Sequence, residues 1–513
     1  MKKSKIFKIV TPILTLLVTV GILCGYIFIF HMFRVSFYNE DGSLFLEKKV
    51  KPFQTTTGEI LPSTEDKIFI GWFTDGKDDR TFFHFTESVK GNMKLYPKFL
   101  EPTDRDFSEE ESLFRAQYVT MFGEVPTVRI TTESSPDIEK PEYAFGVFSL
   151  DCTDGAFNMD AVAMQMRLRG NFSRYLPKGS YKVKFDKKNT SVFGNSGNKN
   201  WALVANYLDR TLLRNYVTYL TAQTLDGFDF APKTYFVDLI LNGEKKGLYL
   251  LMETVEASPA RVDLEEQPTA ANGDTGFILE QTWGAAGAED IDYIVVGGIQ
   301  YEINYPKIDD DGIDPNRYGI IVAYMKDYVR RVNLALDAKD YGAFLDLCDE
   351  DSFVDFLLIQ ELSKNIDADA SSRSVYFYKK PNDKLHMGPV WDFDQTYGTY
   401  EGGGPYGYFV RARHLWFKKL TAISEFCAAY RTRYIWFYKE VFPYVLNALD
   451  DAVFYIYPSV QSNFERWPEL LNTNSEMFHS QLHDIHSFGE HYGFMRSFLI
   501  ARADWLYRAA LEF

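Results

Sequence analysis

Residues 361–398 read ELSKNIDADASSRSVYFYKKPNDKLHMGPVWDFDQTYG. Apolar residues at helical spacing through FVDFLLIQELSKN predict a helix that ends in a polar loop around Asn365 and Asp367. The apolar runs 375–378 and 385–390, on either side of KKPNDK, predict a β-hairpin. That hairpin delivers Trp391-Asp392-Phe393-Asp394. In an extended strand two carboxylates one residue apart point the same way, and they repel unless a cation sits between them. An acid before the hairpin and an Asp-x-Asp after it suit phosphoryl transfer. One carboxylate takes the acceptor hydroxyl's proton and another holds a divalent metal on the phosphates. A lone Asp-x-Asp is a weak signal that a solvated turn also gives. Asp367, Asn365 and the flanking apolar strand make the set more specific.

Upstream of this stretch the chain is strand-rich. Strands are predicted at 125–131, 144–150, 163–169, 181–185, 235–241, 247–252 and 276–281, with LNGEKKG as a hairpin turn. A helix is predicted over 209–224, and 314–364 reads as helical. Beyond about residue 405 nearly everything reads as amphipathic helix. The fold class is therefore α+β, with a sheet first and a helical lobe last.

The whole chain has 513 residues, 46% of them apolar and 16% aromatic, which suits large globular cores and excludes a disordered or collagen-like chain. A net charge of −16 repels phosphate backbones, so no nucleic-acid partner is expected. Cys24, Cys152, Cys348 and Cys427 form no CxxC pair, which argues against a cysteine zinc site and against a disulfide framework. His479, His483 and His486 have helical spacing, with His491 beyond them, but no accompanying carboxylate completes a zinc set.

At the N-terminus, residues 1–8 carry Lys2, Lys3, Lys5 and Lys8 and read as a basic cytoplasmic tail. Residues 9–33 are apolar and long enough to span a bilayer, without a small-x-small cleavage site. They predict an uncleaved transmembrane signal anchor. The positive-inside rule then gives a single-pass membrane protein with its body extracytoplasmic. Residues 35–99 read as a small β unit, 100–124 as an acidic linker in which Ser108 and Glu111 have capping-box spacing, and 125–513 as the main domain. VSFYNEDG, IGWFTD and MKLYPKF in the small unit resemble the internalin-type β-grasp (Listeria–Bacteroides) repeat. Such repeats act mainly as spacers or surface-contact modules. The unit holds no acid pair placed like the Asp-x-Asp and is joined by an acidic linker, so it is expected to be dispensable for chemistry.

The quoted stretch, together with MRLRGNFSRYLPKGSYKVKFD at 166–186, NWALVANYLDRTLLRN at 200–215, VDLILNGEKKGLYLLMETVE at 237–256, GFILEQ at 276–281 and FERWPEL at 464–470, resembles the spore coat protein H (CotH) kinase family in matching order. The resemblance implies an atypical protein-kinase-like fold with a strand-rich N-lobe and a helical C-lobe. It also implies ATP with Mg²⁺ or Mn²⁺ and a protein serine or threonine as acceptor. Residue by residue, Asp367 is similar to the family's catalytic aspartate, with Asp369 as the alternative. Asp392 and Asp394 are similar to its metal-holding acids. Arg169 and Asn171 lie in the RGN turn, Lys182 and Lys184 on the basic strand, and Glu253 in LYLLME, all as nucleotide-binding candidates. Ser372 stands where an ordinary kinase has asparagine five residues after its catalytic aspartate. Two other readings stay open. One is a surface adhesion or structural protein that keeps the fold without turnover, since ATP is scarce outside a cell. The other is a metal-dependent hydrolase using the same acids.

Overall fold

Alternation of inward apolar and outward polar residues builds most of the sheet structure. The computed structural model describes residues 18–20, 31–102, 106–137, 142–170, 172–264, 272–282, 292–307, 313–368, 374–399, 404–472 and 482–512. The chain divides into two units, Met1–Glu101 with Asn474–Ser497, and Pro102–Thr473 with Phe498–Phe513.

The first unit carries β1 (Phe33–Tyr38), β2 (Leu44–Val50), β3 (Ile68–Phe73) and β4 (Met93–Leu100) in the order β2-β1-β4-β3. β1 is parallel to β4 and antiparallel to β2. The turn between β1 and β2 has Gly42 at φ +80°, a backbone state that glycine adopts without strain. Val35, Phe37, Phe69, Trp72 and Leu95 form its core. Gly489 and Gly493, in the first turns of the helix Phe488–Leu511, lie against β3. A Cβ on them would come 2.1 Å from the Phe69 carbonyl oxygen and 1.8 Å from that of Ile70, so only glycine fits. His483 and His486 precede this helix, so the helical spacing expected of the histidines does not form. His479 lies outside the described residues.

The single-pass membrane placement is overturned. Among the described residues no helix is long and apolar enough to cross a membrane. Phe33, expected as the last residue of the 9–33 anchor, instead opens β1 and pairs with Val50, so its backbone bonds run between strands. Residues 9–17 and 21–30 of the expected anchor lie outside the described residues.

In the second unit, β5 (Thr127–Thr132), β6 (Ala144–Asp151), β7 (Met159–Leu168), β8 (Tyr181–Phe185), β9 (Asn200–Val204), β10 (Thr234–Leu241) and β11 (Glu244–Glu253) close into a barrel, ordered β10-β11-β9-β8-β7-β6-β5. All pairs are antiparallel except the seam, where β5 runs parallel to β10 with Asp238 opposite Thr127. Val128, Phe148, Met166, Val183, Trp201, Val237 and Leu251 fill the interior. This seven-stranded barrel, rather than a kinase-like lobe, occupies the strand-rich part of the chain. A second sheet holds β12 (Phe277–Thr282), β13 (Tyr293–Val296), β14 (Ile299–Tyr305), β15 (Val375–Lys379) and β16 (Leu385–Met387), ordered β13-β14-β12-β15-β16.

Aspartates at 314, 340 and 349 cut the helical stretch into three. Each caps a new start, giving Pro315–Ala338, Tyr341–Leu347 and Glu350–Ser363. Lys339 and Lys364, both left-handed, end the first and third. Ser108 likewise caps Glu109–Tyr118 by accepting from the Glu111 N–H at 3.1 Å. The FERWPEL segment closes the helix Phe442–Arg466 against the β10–β11 hairpin: Trp467 Nε1 donates to the Lys246 carbonyl at 3.0 Å. The class is α+β.

Candidate active site

β16 stops at Met387, and Asp392 has φ +64°. The Asp-x-Asp is therefore a turn and not an extended strand, and strand parity does not set its geometry. The helix Arg214–Gln223 sets it instead. The Tyr219 hydroxyl accepts the Asp392 N–H at 3.0 Å, and Asn215 Oδ1 accepts the Phe393 N–H at 2.9 Å. Arg214 Nε donates to the Thr396 carbonyl at 2.8 Å, and the Thr218 and Tyr397 hydroxyls meet at 2.9 Å. Asp209 fixes the start of this helix. Its carboxylate accepts the Arg214 N–H at 2.8 Å and the Thr211 hydroxyl at 2.6 Å, and it pairs with the Arg214 guanidinium. Asp367 lies in the turn Ile366–Ala368, with its N–H held by Asn365 Oδ1 at 3.0 Å.

These contacts gather acids. Burial pushes the Asp394 carboxyl well above the usual carboxylate range. The charges of Asp392, Asp367 and Asp209 push it further, against the pull of Arg214. The Asp392 residue is exposed, yet desolvation by the protein packed around its carboxyl raises its pKa, opposed by Arg169. Arg169 comes from the end of β7 and lies over the Trp391 ring at 5.2 Å. A barrel-borne cation thus faces the acidic turn.

A family model described as CotH kinase protein matches residues 166–506. The chain belongs to the CotH kinase family. A comparison with curated proteins found no match. The matched span holds Arg169, Asp209, Asp367, Asp392 and Asp394, and it begins well after the small β unit. Membership makes this a kinase of the CotH kind, a transferase.

The structure brings together Asp367, Asp392, Asp394 and Arg169 of the residues expected in a CotH kinase site. Lys182 and Lys184 lie half-buried on the outer face of β8, between the inward Tyr181, Val183 and Phe185. Glu253 is engaged elsewhere. It is buried at the end of β11, pairs with Arg261 and accepts the Lys233 N–H at 2.9 Å. Burial raises its pKa, with Arg261 and Lys233 opposing. Asn171, Asp369 and Ser372 lie outside the described residues. Asp209 and Tyr219 are the site residues that sequence reading missed. The one available signal was a polar LDRTLLRN segment leading into an otherwise apolar helix. Among the described residues no three Asp, Glu, His or Cys side chains form a ready metal cage. Mg²⁺ in phosphoryl-transfer sites commonly takes one or two carboxylates and completes its shell with phosphate oxygens and water. The repulsion loaded onto Asp394 is what such an ion would relieve.

Proposed function

We propose that this chain is a metal-dependent protein kinase that transfers the γ-phosphate of ATP to a serine or threonine hydroxyl of a coat or surface protein. The observation that carries this reading is the gathering of Asp367, Asp392, Asp394 and Asp209 opposite the Arg169 guanidinium. Asp392 and Asp394 would hold Mg²⁺ or Mn²⁺. When bound, the ion neutralises charge on the nucleotide phosphates. Asp367 orients the acceptor hydroxyl and takes its proton. Arg169 holds phosphate oxygens from the barrel side. Asp209 acts through Arg214, as a positioning residue for the turn.

The test is calorimetric titration of Mg²⁺–ATP, beside a labelled-ATP transfer assay, on wild type, Asp392→Asn and Asp367→Asn. Asp392→Asn is expected to weaken metal–nucleotide binding and abolish transfer. Asp367→Asn is expected to keep nucleotide affinity and lose about 10²–10⁴-fold in rate, the usual scale of a lost general base. Equal nucleotide affinity in wild type and Asp392→Asn would remove the metal role. Full transfer by Asp367→Asn would move the base elsewhere.

A further inference from the structure

The outer wall of the barrel, across β5, β6 and β7, holds a cavity of about 470 Å³. Phe148 and Leu150 of β6 belong to the barrel interior, so Phe145 and Val147, of the other parity, face out. Both line the cavity and stay 56% and 39% exposed. Val147 is opposite Thr131 of β5 on one side and Ala163 of β7 on the other, and those two residues line it as well. Gly146 lies between the apolar pair. A Cβ there would come 2.2 Å from the Thr131 carbonyl oxygen, so this lining position is bare backbone. Glu133 and Asp186 complete the wall. Backbone bonds tie them to its strands: the Glu133 N–H donates to the Phe145 carbonyl at 2.9 Å, and the Asp186 N–H to the Ala163 carbonyl at 3.4 Å. Both acids are exposed, and neither carboxylate has a hydrogen-bond or ion-pair partner among the described residues. Lys184, from the neighbouring β8, stands over the Tyr143 ring instead.

An aromatic face, an aliphatic neighbour and free carboxylates together complement one kind of group. Arginine and lysine lay an apolar stem along apolar surface and keep a charged head for an acid, and a guanidinium also stacks on a ring. An anionic group would meet repulsion here. A closed barrel has no free edge, so a partner chain cannot join it as an added strand and must be recognised through its side chains. The volume lies in the range of cavities that take ligand-sized groups. We propose that this hollow is a docking site for a partner polypeptide carrying an arginine or lysine beside an apolar residue. The basic stem packs on Phe145, its head reaches Glu133 and Asp186, and the apolar neighbour covers Val147. None of these residues belongs to the acidic turn, so the surface acts whether or not the chain transfers phosphate.

The experiment measures fluorescence anisotropy of labelled short peptides titrated with the full chain. One peptide alternates Arg and Leu, one Arg and Gln, and one Glu and Leu; none carries a hydroxyl that could be phosphorylated. Wild type should bind the Arg–Leu peptide best and the Glu–Leu peptide not at all. Glu133→Gln with Asp186→Asn should weaken the Arg–Leu peptide about three- to tenfold, the scale of exposed ion pairs. Phe145→Ala should erase the preference for Arg–Leu over Arg–Gln. Glu65→Gln with Asp66→Asn removes the same charge from exposed positions in the other unit and should change nothing. Every altered side chain is exposed, so folding is not at stake. A wild type that binds no peptide would overturn the site, as would equal weakening by the two charge-removing pairs, which is general attraction to an acidic chain. Acetyl-arginine amide bound as tightly as the Arg–Leu peptide would make this a small-molecule site and refute docking of a chain.

Discussion

Asp392 holds its left-handed backbone through one hydrogen bond, from its own N–H to the Tyr219 hydroxyl. Aspartate tolerates that conformation better than most residues, but it is not the relaxed state of the chain. Tyr219→Phe removes the acceptor and leaves a part-buried N–H unsatisfied. It should lower unfolding stability by about 1–3 kcal/mol, measured in urea. Because the acidic turn loses its fixed geometry, transfer should fall further than that stability change suggests. Asn215→Ala should do the same at Phe393, and it also strands Asn206 Oδ1, which now accepts from Asn215 Nδ2 at 2.9 Å. If both variants keep wild-type transfer rates under folded conditions, the helix does not position the turn. Asp367, Asp392 and Asp394 were legible beforehand because their chemistry lies in residue type and short spacing. Tyr219 was not, because what ties it to the turn is a partner contributed by tertiary structure: it meets Asp392 across 173 positions of chain.

At the level of elements, strands were legible either by alternation or, where nearly every residue is buried as in β10, β11 and β12, by apolar runs bounded by turn residues. β8 alternates without a break, and its predicted bounds are the observed ones. β9 was missed because Trp201, Ala202 and Leu203 are all buried, which removes the alternation. The parallel seam of β5 with β10 was not legible at all, since closure depends on barrel geometry and not on either strand's pattern. The loop before β8 contributes a buried lysine. Lys178 Nζ donates to the Ala205 carbonyl and to Asn463 Oδ1, each at 2.9 Å, and to the Leu248 carbonyl, joining the barrel to the helix Phe442–Arg466. Burial lowers its pKa from 10.5 to about 7, with Asp238 opposing. The unfolded chain then binds the extra proton between pH 7 and 10.5 and the folded chain does not. Stability should therefore rise with pH across that window, by at most about 1.4 kcal/mol per pH unit. Urea titrations from pH 7 to 10 should show this slope in wild type and a flatter one in Lys178→Met. Equal slopes would mean that Lys178 stays charged in the folded protein throughout.

For the whole molecule, the division into two units separates chemistry from the small sheet, but not at one cut in the chain. Every residue of the acidic turn lies in the second unit, so a chain beginning at Asp106 should keep the nucleotide affinity of the full chain. The same truncation removes β3 from Gly489 and Gly493, and it removes Phe82 and His84 from the Phe494 ring, 6.1 and 5.1 Å away. The shortened chain should accordingly bind a hydrophobic dye that the full chain does not. Loss of nucleotide affinity on truncation would show that the small sheet supports the site after all. The barrel has a different bearing on how this architecture can vary by descent. A closed wall of seven strands has no margin at which a strand can be added or dropped without changing its circumference. The five-stranded sheet and the small four-stranded one are open, ending in β13 and β16 and in β2 and β3. Gains and losses of strands among descendants of this chain should therefore collect at β13, β16, β2 and β3, while the barrel changes in its connecting loops and keeps its count.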